Sequence, residues 1–433
     1  MTLDRRNFIK LLGGASTVAL AGCAGGTAVS AGSAAEIMPK GGRRVVVVGG
    51  GYGGTIAAKY VRMLDSSIEV VMIERNRQYI SCPFSNYYIG GLIKDLTPLT
   101  IGYDKLATNH GIKMVYAEVT AIDPAAKKVV TSEGTLTYDR LIVSPGVDFR
   151  TEEVEGYDEH TPHMIPHAWK AGEQTILLRK QLEAMPDGGK VIISMPLTPY
   201  RCPPGPYERA CMIAHYLKTH KPKSKLFLLD ANPDVVSKKP LFTKAWSTYY
   251  KGIFEYVPGK KVTKVEAKNM NLVVEGIEDH KGDVLNFIPP QRAGRIAVAA
   301  GLVGPDKNWC PVNATTFEST LHKDIHVIGD ASMAGAMPKS GYSANSEAKV
   351  CATNVVALMN GKETVELSGI NVCYSAISGD ESVSIAGVYK VADGKIIGVP
   401  NSGGISPADF SNAKLEHIYA ESWLKNILTE MSS

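Results

Sequence analysis

Residues 43–75 read RRVVVVGGGYGGTIAAKYVRMLDSSIEVVMIER, and the reading of that stretch decides the fold. Arg43 and Arg44 lead into four consecutive valines at 45–48, a β-branched run suited to a strand buried on both faces. Gly49, Gly51 and Gly54 follow in G-x-G-x-x-G spacing, then a helical stretch over 55–64 and a second strand over 68–73 that ends on Glu74. The first glycine permits the tight turn, the second lets backbone approach a pyrophosphate, and the third lets helix pack on strand. Phosphates then meet the helix N-terminus, where free N–H groups and the helix dipole favour anions. Glu74 is placed to accept hydrogen bonds from a ribose hydroxyl. Tyr52 and Gly53 in the turn, with Arg75 beside Glu74, complete the expected contacts. A glycine-rich turn alone proves little; with this strand, helix and acid around it, it predicts a dinucleotide site.

At 433 residues the chain exceeds what one core supports, so two or three domains are expected. A formal net charge of +4, and no basic run interleaved with aromatics, argue against nucleic acid. Asp4-Arg5-Arg6-Asn7-Phe8-Ile9-Lys10 resembles a twin-arginine export signal, followed over 11–24 by a small-residue apolar stretch too short and glycine-rich for a membrane span. Leu20-Ala21-Gly22-Cys23 resembles a lipoprotein processing site, and 31–35 an ordinary leader-peptidase site; the second is preferred. Export by this route fits a protein folded around its cofactor and destined for the periplasm. The seven cysteines include no C-x-x-C pair, which argues against a zinc site and against a c-type haem on this chain. They are too few for a disulfide scaffold, so any pair among them serves chemistry.

Past Glu74 the chain runs near the cofactor, and there Cys82, between Ser81 and Pro83, is either a buried small hydrophobe or a cofactor contact. Residues 138–146 read as a buried strand and a tight turn. The unit 187–234 has strand–loop–helix–strand character, but Pro196, Pro199, Pro203, Pro204 and Pro206 stand where nicotinamide-binding glycines would be. Prolines donate no N–H and fix φ, so this loop forms no phosphate nest. Cys202 lies in that loop, six residues before Glu208, and reactivity near a helix start is favoured over a structural role. The strand over 325–330 ends in Gly329-Asp330, an arrangement in which the carboxylate reaches a ribityl chain; it favours FAD over NAD. Lys339, Ser340 and Gly341 precede a helix over 344–359 whose N-terminus would face a flavin pyrimidine. A helix over 408–431 carries Trp423 and is no membrane span. His163 and His167 with Trp169 suggest a metal or aromatic box, but Pro162 and Pro166 disrupt the helix that would align the histidines, and both are read as structural or surface residues.

The expected fold is α/β: two Rossmann-like dinucleotide-binding domains arranged as in glutathione reductase, plus a smaller α+β C-terminal domain. The expected boundaries are 1–40 for the export signal, 41–154 with 296–366 for the FAD domain, 155–295 for a second Rossmann-like domain without a working NAD site, and 367–433 for an interface domain.

Taken together, the glycine turn, Cys82, the Cys202 loop, the Pro-Lys-Ser-Gly segment and Cys373 resemble the flavoprotein subunit of flavocytochrome c sulfide dehydrogenase, over residues 41 to the end. Phe84 after Pro83 is the clearest departure and leaves the likeness at Cys82 intact. The resemblance implies FAD held by a thioether to Cys82, and a redox-active disulfide between Cys202 and Cys373. It also implies a proton-handling role for Glu208, Trp423 lying against the flavin, and a separate c-type cytochrome subunit as partner. Sulfide would attack the disulfide, leaving a persulfide and a thiolate, with two electrons passing to FAD. Two other readings stand beside it: a sulfide:quinone oxidoreductase, and a non-catalytic electron-transfer flavoprotein.

Overall fold

Strand Arg44–Val48 lies at the centre of a five-stranded sheet, every residue of it buried. Glu69–Ile73 flanks it on one side and Arg140–Val143 on the other, with Lys113–Val115 and Ile325–Val327 at the edges. Every neighbour runs parallel, so the central strands need apolar side chains on both faces, as the valine run supplies. Helices Gly54–Leu64 and Gly341–Met359 cover one face through Ile56, Val61, Ala348 and Val355. The computed structural model describes residues 35–433; the twin-arginine segment, both cleavage motifs up to residue 34, and Cys23 lie outside the described residues.

A second parallel sheet has the order Phe254–Pro258, Lys225–Asp230, Lys190–Met195, Val284–Phe287. Its covering helix, expected from Glu208, begins at Gly205. Pro206 falls in the first turn, where a missing N–H costs nothing, so the proline-rich loop ends earlier than composition implies. Three antiparallel strands, Ser368–Ala376, Ser382–Ala392 and Lys395–Gly398, form a third layer with Gly404–Ile405 on its edge. Helix Ala413–Ser432 packs on it, starting five residues later than expected, because the Asp409 side chain accepts from the Ser411 N–H and holds a turn there. No helix among the described residues is long and apolar enough to cross a membrane.

Candidate functional site

A cavity of about 870 Å³ opens at the carboxyl ends of the first sheet, where doubly wound folds bind ligands. The glycine turn forms one end. Gly49 has φ +101°, and a Cβ there would stand 2.3 Å from the Ser144 carbonyl oxygen; one on Gly54 would stand 1.8 Å from the Gly49 oxygen. Only glycine lets the strand, turn and helix close this tightly. Tyr52 and Gly53 line the cavity, with the Tyr52 hydroxyl 2.6 Å from Ser81 Oγ. Glu74 and Arg75 line it too, Glu74 accepting from Gly50 N at 2.8 Å and from Asn76 N at 2.9 Å.

Gly329 and Asp330 line the far wall. Behind them Glu347 accepts from Gly329 N at 2.7 Å, its carboxyl pushed up to about 8 by burial. Lys339 is not among the lining residues; its ammonium donates to the Asp330 and Ser332 carbonyls at 2.9 and 2.7 Å, bracing the turn from behind. Ser340 and Gly341 do line the cavity, and Ser340 Oγ caps helix Gly341–Met359 by accepting from Ser343 N at 3.1 Å. Asp330 Oδ1 and the indole N–H groups of Trp169 and Trp423 are buried without hydrogen-bond partners. A cavity of this size, with a phosphate-cradling turn at one end and orphaned polar atoms along its walls, fits FAD.

Three cysteines border this space. Cys82 Sγ receives Ala171 N at 3.2 Å and Arg201 Nη2 at 3.3 Å, and its thiol donates to the Trp169 carbonyl at 3.0 Å. Cys202 and Cys373, on different layers of the fold, are free thiols that line the same cavity. Each acts on the other's proton: Cys373 and burial push the Cys202 thiol up, and Cys202 holds Cys373 below the ordinary thiol range. Cys202 has φ +58°, a left-handed conformation unusual for a side chain with Cβ, and its N–H is tied to the Lys339 carbonyl at 2.7 Å. Glu208 is 8% exposed, accepts from Ala376 N at 3.4 Å, and is pushed up to about 7, by burial first and by Cys373 second. Trp423 lines the cavity, its ring between Phe84 at 6.4 Å and Tyr342 at 6.1 Å.

Sequence reasoning passed over several residues here. Arg201 stacks near the Trp169 ring and donates to the Trp169 carbonyl as well as to Cys82. Trp169 lines the cavity, although beside His163 and His167 it gave no signal of a cofactor contact. His167 is buried and neutral, held down to about 3 mainly by burial, and accepts from Trp169 N, so it shapes that wall. Lys238, 4% exposed, sends its ammonium to the Cys373 carbonyl at 2.7 Å. A lone buried lysine leaves no pattern in a sequence.

The second sheet also carries an acid at its corresponding edge. Asp230 ends its second strand, where an acid would hold a ribose, but it is fully buried and accepts from Tyr207 at 2.8 Å, Tyr256 at 2.9 Å and Asn232.

Two parallel dinucleotide-type sheets with paired thiols over one cavity define a pyridine nucleotide-disulphide oxidoreductase, and residues 43–176 match that family's model. Residues 175–289 match the central region of the sulfide dehydrogenase [flavocytochrome c] flavoprotein chain, and 367–431 the flavin-binding region of flavocytochrome c sulphide dehydrogenase. The chain is 57% identical over 44 residues to the sulfide dehydrogenase flavoprotein chain of Chlorobaculum thiosulfatiphilum, 10% of this chain and 92% of that one. It belongs to this flavoprotein family and is an FAD-dependent oxidoreductase. A type II NADH:quinone oxidoreductase of Staphylococcus epidermidis is 28% identical over 120 residues, 27% of this chain and 30% of that one. Among solved structures, the sulfide:quinone oxidoreductase of Aquifex aeolicus shares the fold with a TM-score of 0.71 at 18% identity, over 90% of this chain and 92% of that chain. The putidaredoxin reductase–putidaredoxin complex gives 0.64 at 16%, over 90% and 98%.

Proposed function

We propose that this chain oxidises sulfide to polysulfide through Cys202 and Cys373 and delivers the electrons to a c-type cytochrome subunit. The observation that carries the proposal is that both free thiols line one cavity together with Glu208, a buried carboxyl with a raised proton affinity. In the oxidised pair, HS⁻ attacks one sulfur; the Cys–Cys bond breaks, a persulfide forms on that cysteine, and the electron pair leaves on the other as thiolate. A second HS⁻ takes the outer sulfur as HSS⁻ and leaves a thiol. Reclosing the disulfide releases one proton and two electrons. The glycine turn and Asp330 would hold FAD, which when bound would supply the two-electron acceptor for that closure. Glu208, placed against Cys373, takes up the proton; a carboxyl near 7 gives and receives protons at neutral pH.

Cys82 is the attachment point in this reading, its sulfur oriented by Arg201 and Ala171. Residues 41–154 with 296–366 hold the cofactor, 155–295 supply Cys202 and Glu208, and 367–433 supply Cys373 and Trp423 and face the cytochrome. Family membership supports the partner, and the twin-arginine segment supports a periplasmic place for the complex. The fold shared with a sulfide:quinone oxidoreductase keeps quinone as the alternative acceptor. Cys202→Ser is expected to abolish flavin bleaching by sulfide while dithionite still bleaches it. Normal sulfide bleaching in that variant refutes the thiol pair. Reduction of cytochrome c without added quinone decides the acceptor.

A further inference from the structure

Lys238 and Lys239 are adjacent but have opposite fates. Lys239 pairs with Asp234 at the surface. Lys238 stands at φ +52°, ψ +33°, before helix Lys239–Tyr249, and this left-handed backbone turns its side chain inward. Its ammonium donates to the Cys373 carbonyl at 2.7 Å, Ser375 Oγ at 2.9 Å and the Val383 carbonyl at 3.3 Å. All three are neutral oxygens, and no carboxylate among the described residues ion-pairs with it. A buried cation without an anion is costly, and left-handed non-glycine backbone adds to that cost. The molecule keeps both at one point, the strand that bears Cys373.

The groups that can carry the missing negative charge are on the page. Cys202 approaches from the proline-rich loop and lines the same wall, its thiol pushed up by Cys373 and by burial. Glu208 approaches from helix Gly205–His220 and feels the same ammonium, but it is bonded to the Ala376 N–H and no ion pair joins it to Lys238 among the described residues. Arg201 and Arg209, the other buried cations at this wall, act on Cys202. That leaves the Cys373 sulfur.

We infer that Lys238 is the fixed counter-charge of a Cys373 thiolate, a positioning residue that keeps the negative charge of the reduced pair on Cys373 rather than on Cys202. The inference rests on reading the two cysteines as a redox pair. The loop that carries Lys238 follows Asp230, at the edge where a nicotinamide enzyme of this fold would bind its nucleotide. Here that loop serves the thiols instead.

The test is the alkylation of Cys373 by iodoacetamide in the phosphine-reduced holoprotein, followed across pH by mass spectrometry of its peptide. The wild-type midpoint is expected well below the ~8.5 of a free thiol. Lys238→Met is expected to raise that midpoint by about a unit or more, slowing alkylation at neutral pH by about tenfold. A merely structural lysine would leave the midpoint in place. An unchanged midpoint in Lys238→Met, or a wild-type midpoint at or above the free-thiol value, overturns the inference; the second result decides even where Lys238→Met fails to fold. Flavin that sulfide leaves oxidised, in protein whose Cys373 midpoint still depends on Lys238, would refute the proposed reaction and leave this inference standing.

Discussion

Glu208→Gln is expected to stabilise the protein and to stop its turnover. The carboxyl is buried, and burial with Cys373 lifts it from the ordinary 4.5 to about 7. A displacement of that size corresponds to about 3 kcal/mol by which the folded state disfavours the ionised form. The folded protein holds this proton more tightly than the unfolded chain. The corresponding stability is therefore fully present below about 4.5 and is lost as pH rises through about 7. Glutamine is neutral throughout and keeps an oxygen for the Ala376 N–H. The variant should match wild type near pH ~5 and exceed it by about 3 kcal/mol near pH ~8.5, a few degrees in a thermal melt. Turnover with sulfide should fall by about 10²- to 10⁴-fold, the usual worth of a positioned proton acceptor. Melts at both pH values, with sulfide-dependent cytochrome c reduction, check both halves. A stability difference that does not grow between the two pH values refutes the raised proton affinity, and near-normal turnover refutes the catalytic role.

Cys82→Ser should release flavin fluorescence from the protein band on a denaturing gel while the native protein still binds flavin; fluorescence that stays with the serine variant rules out the thioether. Gly54→Ala brings a Cβ to 1.8 Å from the Gly49 carbonyl oxygen, so the turn must open. Loss of flavin and about 3 kcal/mol of stability are expected, read by absorbance and denaturant melts. Tyr207→Phe removes one donor from fully buried Asp230 and should cost about 1–3 kcal/mol with sulfide bleaching unaffected; a neutral melt would show that the Tyr207 hydrogen bond contributes little.

The first sheet was legible because its signals are local. Valines at 45–48, glycines at fixed spacing and the acid at 74 each constrain backbone within a few residues. The absence of a glycine nest in the second unit was legible too, since five prolines in one loop supply no such row of N–H groups whatever surrounds them. Direction of side chains was not. Lys339 sits in the segment that lines the cavity, yet its ammonium points behind the Asp330 turn, because two carbonyls there have the better geometry for it. Lys238 and Lys239 are chemically identical in the sequence, and only the backbone at 238 separates a buried charge from a surface ion pair. Cys202 and Cys373 carry no signal of their meeting, since contact across layers leaves no trace in spacing; the family resemblance supplied that pairing.

The two parallel sheets make the same turn from strand to acid and use it in opposite ways. In the first, Glu74 follows strand Glu69–Ile73 and remains on the cavity wall, bonded to the glycine turn itself. In the second, Asp230 closes strand Lys225–Asp230 and is consumed by Tyr207, Tyr256 and Asn232. A nicotinamide ribose would have to displace two phenol hydroxyls from a fully buried carboxylate and then find no N–H donors in the proline loop. Each loss leaves polar groups unpaired, at about 1–3 kcal/mol apiece. At that edge the second sheet holds its acid in its own hydrogen bonds. What it gives the protein is the Cys202 loop with its left-handed backbone, Glu208 on the following helix, and Lys238 beyond the sealed acid.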